Sequence, residues 1–356
     1  MGAGGEPRIA IEVSGGVDGP ETFVTAAAGI SLHGRSRLLL VGDGERLGAE
    51  LRRHSYDPMR LRIVDAGVRQ GKGSGDHLAR EAAARVSLPV AFELVRAGEA
   101  DALITAASGA LVLHCAEAGL RALAPGVPAA LAAVVPTMPR PGHADPLALL
   151  LDTSGRAAAS AEALHGFAVM GGAYARLVSG IRQPRVALLS TSTDPGAGPA
   201  AVVAAHAALR RAPNGGLNFI GGVGAIDIPR GQADVIVVDG FTGAAVRGLL
   251  EGITDLTVEA ARYAWKARTT WRVGLRLLSD GVGQLRKVSE FREYGGAPLL
   301  GLDGVVLVAA PEAGVEAIAN AIKLAGKCVH ADIVRELEAE LRLARPGMAA
   351  GGSDGG

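Results

Sequence analysis

The chain has 356 residues, 49% of them hydrophobic, enough to bury a large core in one long α/β unit or in two or three smaller domains. Lys and Arg number 36 and Asp and Glu 36, so the formal net charge is zero and no global field exists to gather nucleic acid or an anionic membrane. Cys115 and Cys328 lie far apart without metal-ligand spacing, the histidines show none either, and neither a leader segment nor an apolar run of about 18–20 residues is visible. These features predict a cytoplasmic protein with reduced thiols and without a metal or other cofactor.

Short aliphatic runs alternate with Ala-rich helical stretches. Arg8 to Val13 reads as a strand, followed by Gly15-Gly16 and a helix from Pro20. Arg37 to Val41 is a second strand and Leu61 to Val64 a third. Gln70 to Gly75, around Lys72, lacks the full spacing of a phosphate loop and reads as a plain loop. Ala102 to Thr105 is a strand, with a helix from Ser108-Gly109 through Leu123. Ala130 to Val135, Leu147 to Leu151, Arg185 to Leu189, Val235 to Val238 and Val305 to Val308 complete the strands, and one long helix from Ala313 to Leu343 closes the chain. No internal repeat stands out. This rhythm predicts a largely parallel sheet with helices on both faces. Residues 346–356, nearly all Gly, Ala, Ser and Asp, are expected to be disordered.

Ligands of open α/β sheets bind beyond the carboxyl ends of strands. The segments there are Ser14 to Pro20, Thr105 to Gly109, Asp152 to Arg156, Ser190 to Gly198 and Asp239 to Ala244. Asp239 and Thr242 suit acceptor binding or carbonyl polarisation, and equally the capping of a turn. Gly240 and Gly243 allow close backbone approach. Arg156 can grip a phosphate or carboxylate with two hydrogen bonds, or sit solvated at the surface. His114-Cys115 has the chemistry of thioester exchange, but helix neighbours do not share a face, and a packed thiol is the plainer reading.

Taken in order, these segments resemble the bacterial phosphate acyltransferases, which make acyl phosphates from acyl carrier protein. Ile9-Ala10-Ile11-Glu12-Val13-Ser14-Gly15-Gly16-Val17-Asp18-Gly19-Pro20 resembles the family's I-A-x-D-A-M-G-G-D-x-x-P. Asn218-Phe219-Ile220-Gly221, Asp239-Gly240-Phe241-Thr242-Gly243 and Tyr294-Gly295-Gly296-Ala297-Pro298-Leu299-Leu300-Gly301 are close matches, and collinear similarity runs from Ile9 to Ala325. The resemblance implies a Rossmann-like α/β domain over residues 1–345 and a homodimer. It also implies attack of phosphate on a carrier-protein or coenzyme A thioester. It puts Asp239 and Thr242 at the reacting groups. It puts Gly15, Gly16, Ser108, Gly109, Asp152, Arg156, Asp194, Gly198, Gly240 and Gly243 around the substrates.

Several polar positions of the family are rewritten. The Asn closing D-G-F-T-G-N is Ala244, the lysine of N-x-G-x-E-x-x-K-G falls on Ala197, and the A-G-N-T-G-A-L loop is one residue shorter, with Ala106, Ala107 and Ser108. D-V-G-A-N becomes Asp152-Thr153-Ser154-Gly155-Arg156, and H-G-S-S falls on Ala310-Pro311-Glu312-Ala313. Two readings follow: an acyltransferase delivering to phosphate or another small acceptor, in lipid or specialised metabolite synthesis; or an inactive homologue that binds carrier protein or activates a partner enzyme. In the family, residues 256–287 form a helical projection. Here that stretch is basic, and Trp265, Arg268, Trp271 and Arg272 suit an acidic carrier protein, with contact to a membrane surface also open.

Overall fold

The computed structural model describes residues 5–69, 77–138, 147–211, 217–267, 270 and 295–344. Strands β1 (Arg8–Glu12), β2 (Arg37–Gly42) and β4 (Ala102–Thr105) bury most of their aliphatic side chains, as a sheet covered on both faces requires, whereas the edge strand β3 (Leu61–Asp65) fully buries only Leu61. Between them lie α1 (Glu21–His33), α2 (Gly44–Leu51) and α3 (His77–Arg96). Helix α4 (Gly109–Gly119) leads to the hairpin β5 (Ala130–Pro136) and β6 (Leu147–Leu151). Then follow α5 (Ala161–Leu177), β7 (Arg185–Leu189), α6 (Ala200–Arg211), β8 (Asn218–Val223), β9 (Val235–Val237) and α7 (Gly240–Ala267). Strands β10 (Ala297–Leu300) and β11 (Val305–Val308) and helices α8 (Val315–His330) and α9 (Ile333–Ala344) complete the described chain.

All eleven described strands join one sheet in the order β3-β2-β1-β4-β11-β10-β5-β6-β9-β7-β8. The pairings are parallel except β10–β11, β10–β5 and β5–β6. The sheet is therefore Rossmann-like and largely parallel, as expected, but strands β6 to β9 run opposite to β1 to β4. The loops at the carboxyl ends thus form two sets, which must be brought together by the twist of a long sheet. No described helix is long and apolar enough to cross a membrane.

Two expectations are corrected. The closing helix is two helices: Asp332, at φ 48°, makes a left-handed turn between α8 and α9, which an Asp tolerates better than most residues. Helix α4 stops at Gly119 because Leu120 is extended and Arg121 N donates to Asp303 Oδ1 at 2.8 Å, tying the chain to the β10–β11 turn. The described start of the 256–287 stretch is continuous with the candidate site: α7 starts at Gly240 and runs unbroken to Ala267.

A repeated device, invisible in sequence, opens both halves. Arg8 Nε donates to Asp101 Oδ2 at 3.1 Å and its Nη1 to Gly98 O at 2.7 Å. Arg185 Nε donates to Asp234 Oδ2 at 3.1 Å and its Nη2 to Gly231 O at 2.9 Å. Each Arg begins a strand paired on both sides, each Asp precedes a neighbouring parallel strand, and both glycines have φ of 69°. Burial acts to raise the Asp101 carboxyl, but the Arg8 side chain and backbone N–H outweigh it and hold the group below its usual range. The Asp101 contribution is therefore complete above the ordinary aspartate range and is lost as acid protonates the folded form. Asp234 is the more buried of the two carboxylates. Arg185→Ala should thus destabilise the fold by about 3 kcal/mol in urea unfolding. A change under about 1 kcal/mol would make the pair equivalent to a solvated ion pair.

Candidate active site

The site starts from a charge where a strand should have none. Glu12 ends β1 and is fully buried. Its Oε1 accepts from Ser14 N at 2.7 Å and from Ser87 Oγ of α3 at 2.6 Å, and its Oε2 accepts from Thr105 Oγ1 of β4 at 2.7 Å. Thr105 Oγ1 in turn accepts from Ala107 N at 3.0 Å. One carboxylate thereby fixes the loops after β1 and β4, and a buried carboxylate needs such donors to remain in place. The loops meet directly: a Cβ on Gly15 would overlap the Ala106–Ala107 peptide. Gly16 packs against the Phe23 ring, and Val17 N donates to Pro311 O at 2.7 Å, which adds the loop after β11.

Ser108 caps α4, accepting from Leu111 N at 3.4 Å, and its hydroxyl donates to Glu81 Oε1 at 3.2 Å. The next N–H groups, of Gly109 and Ala110, make no hydrogen bond among the described residues. Gly109 leads to the second loop set, since a Cβ there would stand 3.7 Å from Leu131 Cδ2. Leu131 N donates to Asp152 Oδ1 at 2.8 Å, and Thr153 N donates to Leu131 O at 2.8 Å. Asp152 also accepts from Ser154 N at 2.7 Å and Ser154 Oγ at 2.6 Å. Burial raises its carboxyl, against the pull of these donors. Its oxygens are directed into the loop, so Asp152 shapes the site from behind.

The start of α7 is seated on that loop. Phe241 N donates to Arg156 O at 2.8 Å and Gly155 N to Gly240 O at 3.1 Å. A Cβ on Gly240 would stand 2.7 Å from Asp152 Oδ2, and one on Gly243 would overlap the Asp152 carbonyl oxygen. Asp239 Oδ1 accepts from Thr242 N at 3.0 Å, the geometry of a helix cap. The Thr242 hydroxyl is half-buried and has no hydrogen bond among the described residues. Arg156 reaches across to the first half, where its Nη2 donates to Glu117 Oε1 of α4 at 2.5 Å. Its Nε is buried without a partner.

Contacts therefore run unbroken from Gly15 and Gly16 through Ser108, Gly109 and Asp152 to Arg156, Asp239, Gly240, Thr242 and Gly243. Asp194 and Gly198 stay apart in the loop after β7. Asp194 is exposed, with its Oδ1 accepting from Gly196 N at 2.9 Å, and Gly198 lies beside Ser190 and Val202. At the rewritten lysine position, Ala197 is a turn residue whose N–H donates to Asp194 O at 3.0 Å. Trp265 lies on α7 and is 42% exposed, and the same helix carries exposed Leu256 and Tyr263. Arg268, Trp271, Arg272, Lys72 and the tail from residue 346 lie outside the described residues. Cys115 is half-buried and its thiol is raised by burial, the opposite of an activated nucleophile. Cys328 is packed in the core, its thiol pushed up to about 12 by burial. His165 is buried in α5, and burial lowers its pKa. Among the described residues no three His, Cys, Asp or Glu side chains converge as a metal site.

Sequence reading missed Glu117, Leu131 and the roles of Ser87 and Thr105. The signal available was Glu12 itself, a carboxylate between Ile11 and Val13 in a buried strand. Glu117 gave no signal, because its partner is 39 residues away on another element.

A family model described as "Fatty acid synthesis protein" matches residues 7–336. The phosphate acyltransferase of Moorella thermoacetica is 34% identical over 331 residues, which cover 93% of this chain and 94% of that protein. That of Thermobifida fusca is 36% identical over 325 residues, covering 91% and 88%. Among solved structures, a phosphotransacetylase from Streptococcus pyogenes superimposes with a TM-score of 0.57 at 18% identity, covering 93% of this chain and 94% of that one. A branched-chain phosphotransacylase from Enterococcus faecalis V583 gives 0.53 at 15% identity, covering 91% and 99%. At such identities the solved structures establish the fold alone.

Proposed function

The chain belongs to the phosphate acyltransferase family, and from that premise we propose that it transfers an acyl group from a carrier-protein or coenzyme A thioester to phosphate, at the junction of its two loop sets. A phosphate oxygen attacks the thioester carbonyl carbon. The carbonyl oxygen takes the negative charge, the C–S bond breaks, and the departing thiolate takes a proton from solvent. Dianionic phosphate is nucleophile enough to need no general base, which agrees with a site whose carboxylates are engaged in holding loops.

The observation that carries this reading is the buried Nε of Arg156, unpartnered among the described residues, on the loop that seats the start of α7. A buried donor without an acceptor marks a place for a ligand or water. Arg156 would supply the cation that Ala197 no longer supplies, and the free N–H groups of Gly109 and Ala110 would receive anionic oxygen. The Thr242 hydroxyl, without a hydrogen bond among the described residues, would be a further donor. The described end of α7, with Trp265, would meet the acyl carrier protein or the second subunit of a homodimer, in the cytoplasm.

Arg156→Gln should raise the KM for phosphate about 10–100-fold, the worth of a charge-assisted hydrogen bond, with a smaller change in the KM for the thioester. Equal changes in both constants would remove Arg156 from the acceptor site. A specific observation keeps a second reading in view: Ala244 and Ala197 carry no polar group where the family has Asn and Lys. An inactive carrier-binding homologue would bind acyl carrier protein by calorimetry yet release no thiol.

A further inference from the structure

Beyond the proposed reaction site, we propose that the cavity between α5, α8 and the β5–β6 hairpin is a second ligand site, for a long-chain amphiphile with a carboxylate or phosphate head. The cavity holds about 660 Å³, within the range of small-molecule sites. Leu147, Leu149, Val178, Ile181 and Leu324 form apolar walls. Arg182 and Lys327 also line it, both exposed and neither with a carboxylate partner among the described residues. Their neighbours differ: Arg185 is paired with Asp234, and Arg176 with Glu340. The cavity's own carboxylate, Asp234, is thus already engaged.

Apolar walls and unpaired cations select one chemistry. A small anion would leave the walls wet, and a neutral hydrocarbon would leave the cations unused. An alkyl chain with an anionic head satisfies both. The position is separate from the junction. Leu147 starts β6 and Asp234 precedes β9, whereas Asp152 and Asp239 follow the far ends of those strands. At about 3.3 Å per strand residue, Leu147 and Asp152 are about 16 Å apart.

The test is equilibrium binding of dodecanoate and dodecyl phosphate to the full chain, read by displacement of the fluorescent polyene fatty acid cis-parinarate, with inorganic phosphate as the control. The wild type should bind both amphiphiles, tightening about fourfold per added methylene in shorter homologues, while inorganic phosphate displaces nothing. Preference for dodecyl phosphate would assign the head to the acyl-phosphate class, and preference for dodecanoate to free fatty acids. The double variant R182E/K327E, changed only at exposed positions, should weaken binding at least about tenfold. Leu324→Trp, which fills the cavity, should do the same. Arg156→Gln should leave the affinity unchanged. Wild-type affinity in R182E/K327E overturns the site, as does loss of binding in Arg156→Gln, which would put the chain in the junction. None of these readings depends on turnover, so the site and the reaction fail separately.

Discussion

Gly243→Ala should cost the protein at least about 3 kcal/mol of stability and about 10²-fold in turnover. The added methyl would overlap the carbonyl oxygen of Asp152, which is backbone and has no rotamer to retreat to. The chain must then lift the first turn of α7 or push the Asp152–Arg156 loop away. Either movement breaks the hydrogen bonds between Phe241 N and Arg156 O and between Gly155 N and Gly240 O. Arg156 then loses its position even if the fold survives. Urea unfolding and thioester turnover measured on the same preparation separate the two losses. Gly252→Ala is the internal control: it lies on the same helix, nothing stands within 4 Å of its Cβ position, and it should be neutral or slightly stabilising. Wild-type behaviour of Gly243→Ala would show that α7 does not rest on the Asp152 loop.

Glu12→Ala carries the second large effect. It removes the acceptor of Ser14 N, Ser87 Oγ and Thr105 Oγ1 inside a fully buried pocket. Ser87 Oγ keeps Ala83 O as an acceptor at 3.1 Å, but Ser14 N and Thr105 Oγ1 lose theirs at a cost of about 1–3 kcal/mol each, so the variant should lose at least about 2 kcal/mol or fail to fold. Glu12→Gln keeps the volume and one acceptor oxygen, and turns the other acceptor into a donor that faces a donor. It should fold with an intermediate loss and with turnover reduced at least about tenfold, because the loops carrying Gly15 and Ala107 both hang from this group. Glu12→Asp restores the family's residue one methylene shorter and should recover part of both. A stability loss for Glu12→Ala below about 1 kcal/mol would contradict the described network.

Much of this arrangement was legible in the sequence, and the illegible part has a common cause. Buried strands such as β1, β4 and β9 announce themselves as aliphatic runs, and the rule that loops at carboxyl ends bind ligands pointed at Gly15, Ser108, Asp152 and Asp239. An aliphatic run does not reveal its direction. The reversal at the β5–β6 hairpin was therefore hidden, and so was the division of the loops into two sets. Helix α3 was passed over, with Pro89 inside it and a sequence that reads poorly as a continuous helix. The break at Asp332 was missed for the opposite reason, since good helix formers flank it on both sides. The Arg8–Asp101 and Arg185–Asp234 clamps escaped as a repeat because their members are 93 and 49 residues apart. Arg156 was legible as a cation at a strand end, but its bond to Glu117 depends on how the two halves meet. Position in the chain foretold which residues face the junction; only the packing tells which of them, such as Asp152 and Asp239, are already engaged with the backbone.

The central claim is acyl transfer to phosphate at this junction, and one coupled measurement tests it most directly. Purified full-length chain is incubated with an acyl carrier protein thioester, with and without phosphate. Free thiol is counted, and acyl phosphate is trapped with hydroxylamine as the hydroxamate. Thiol release that requires phosphate and equals the hydroxamate formed, mole for mole, is the predicted result. Thiol release independent of phosphate, or none at all from a protein that still binds the carrier, would contradict it.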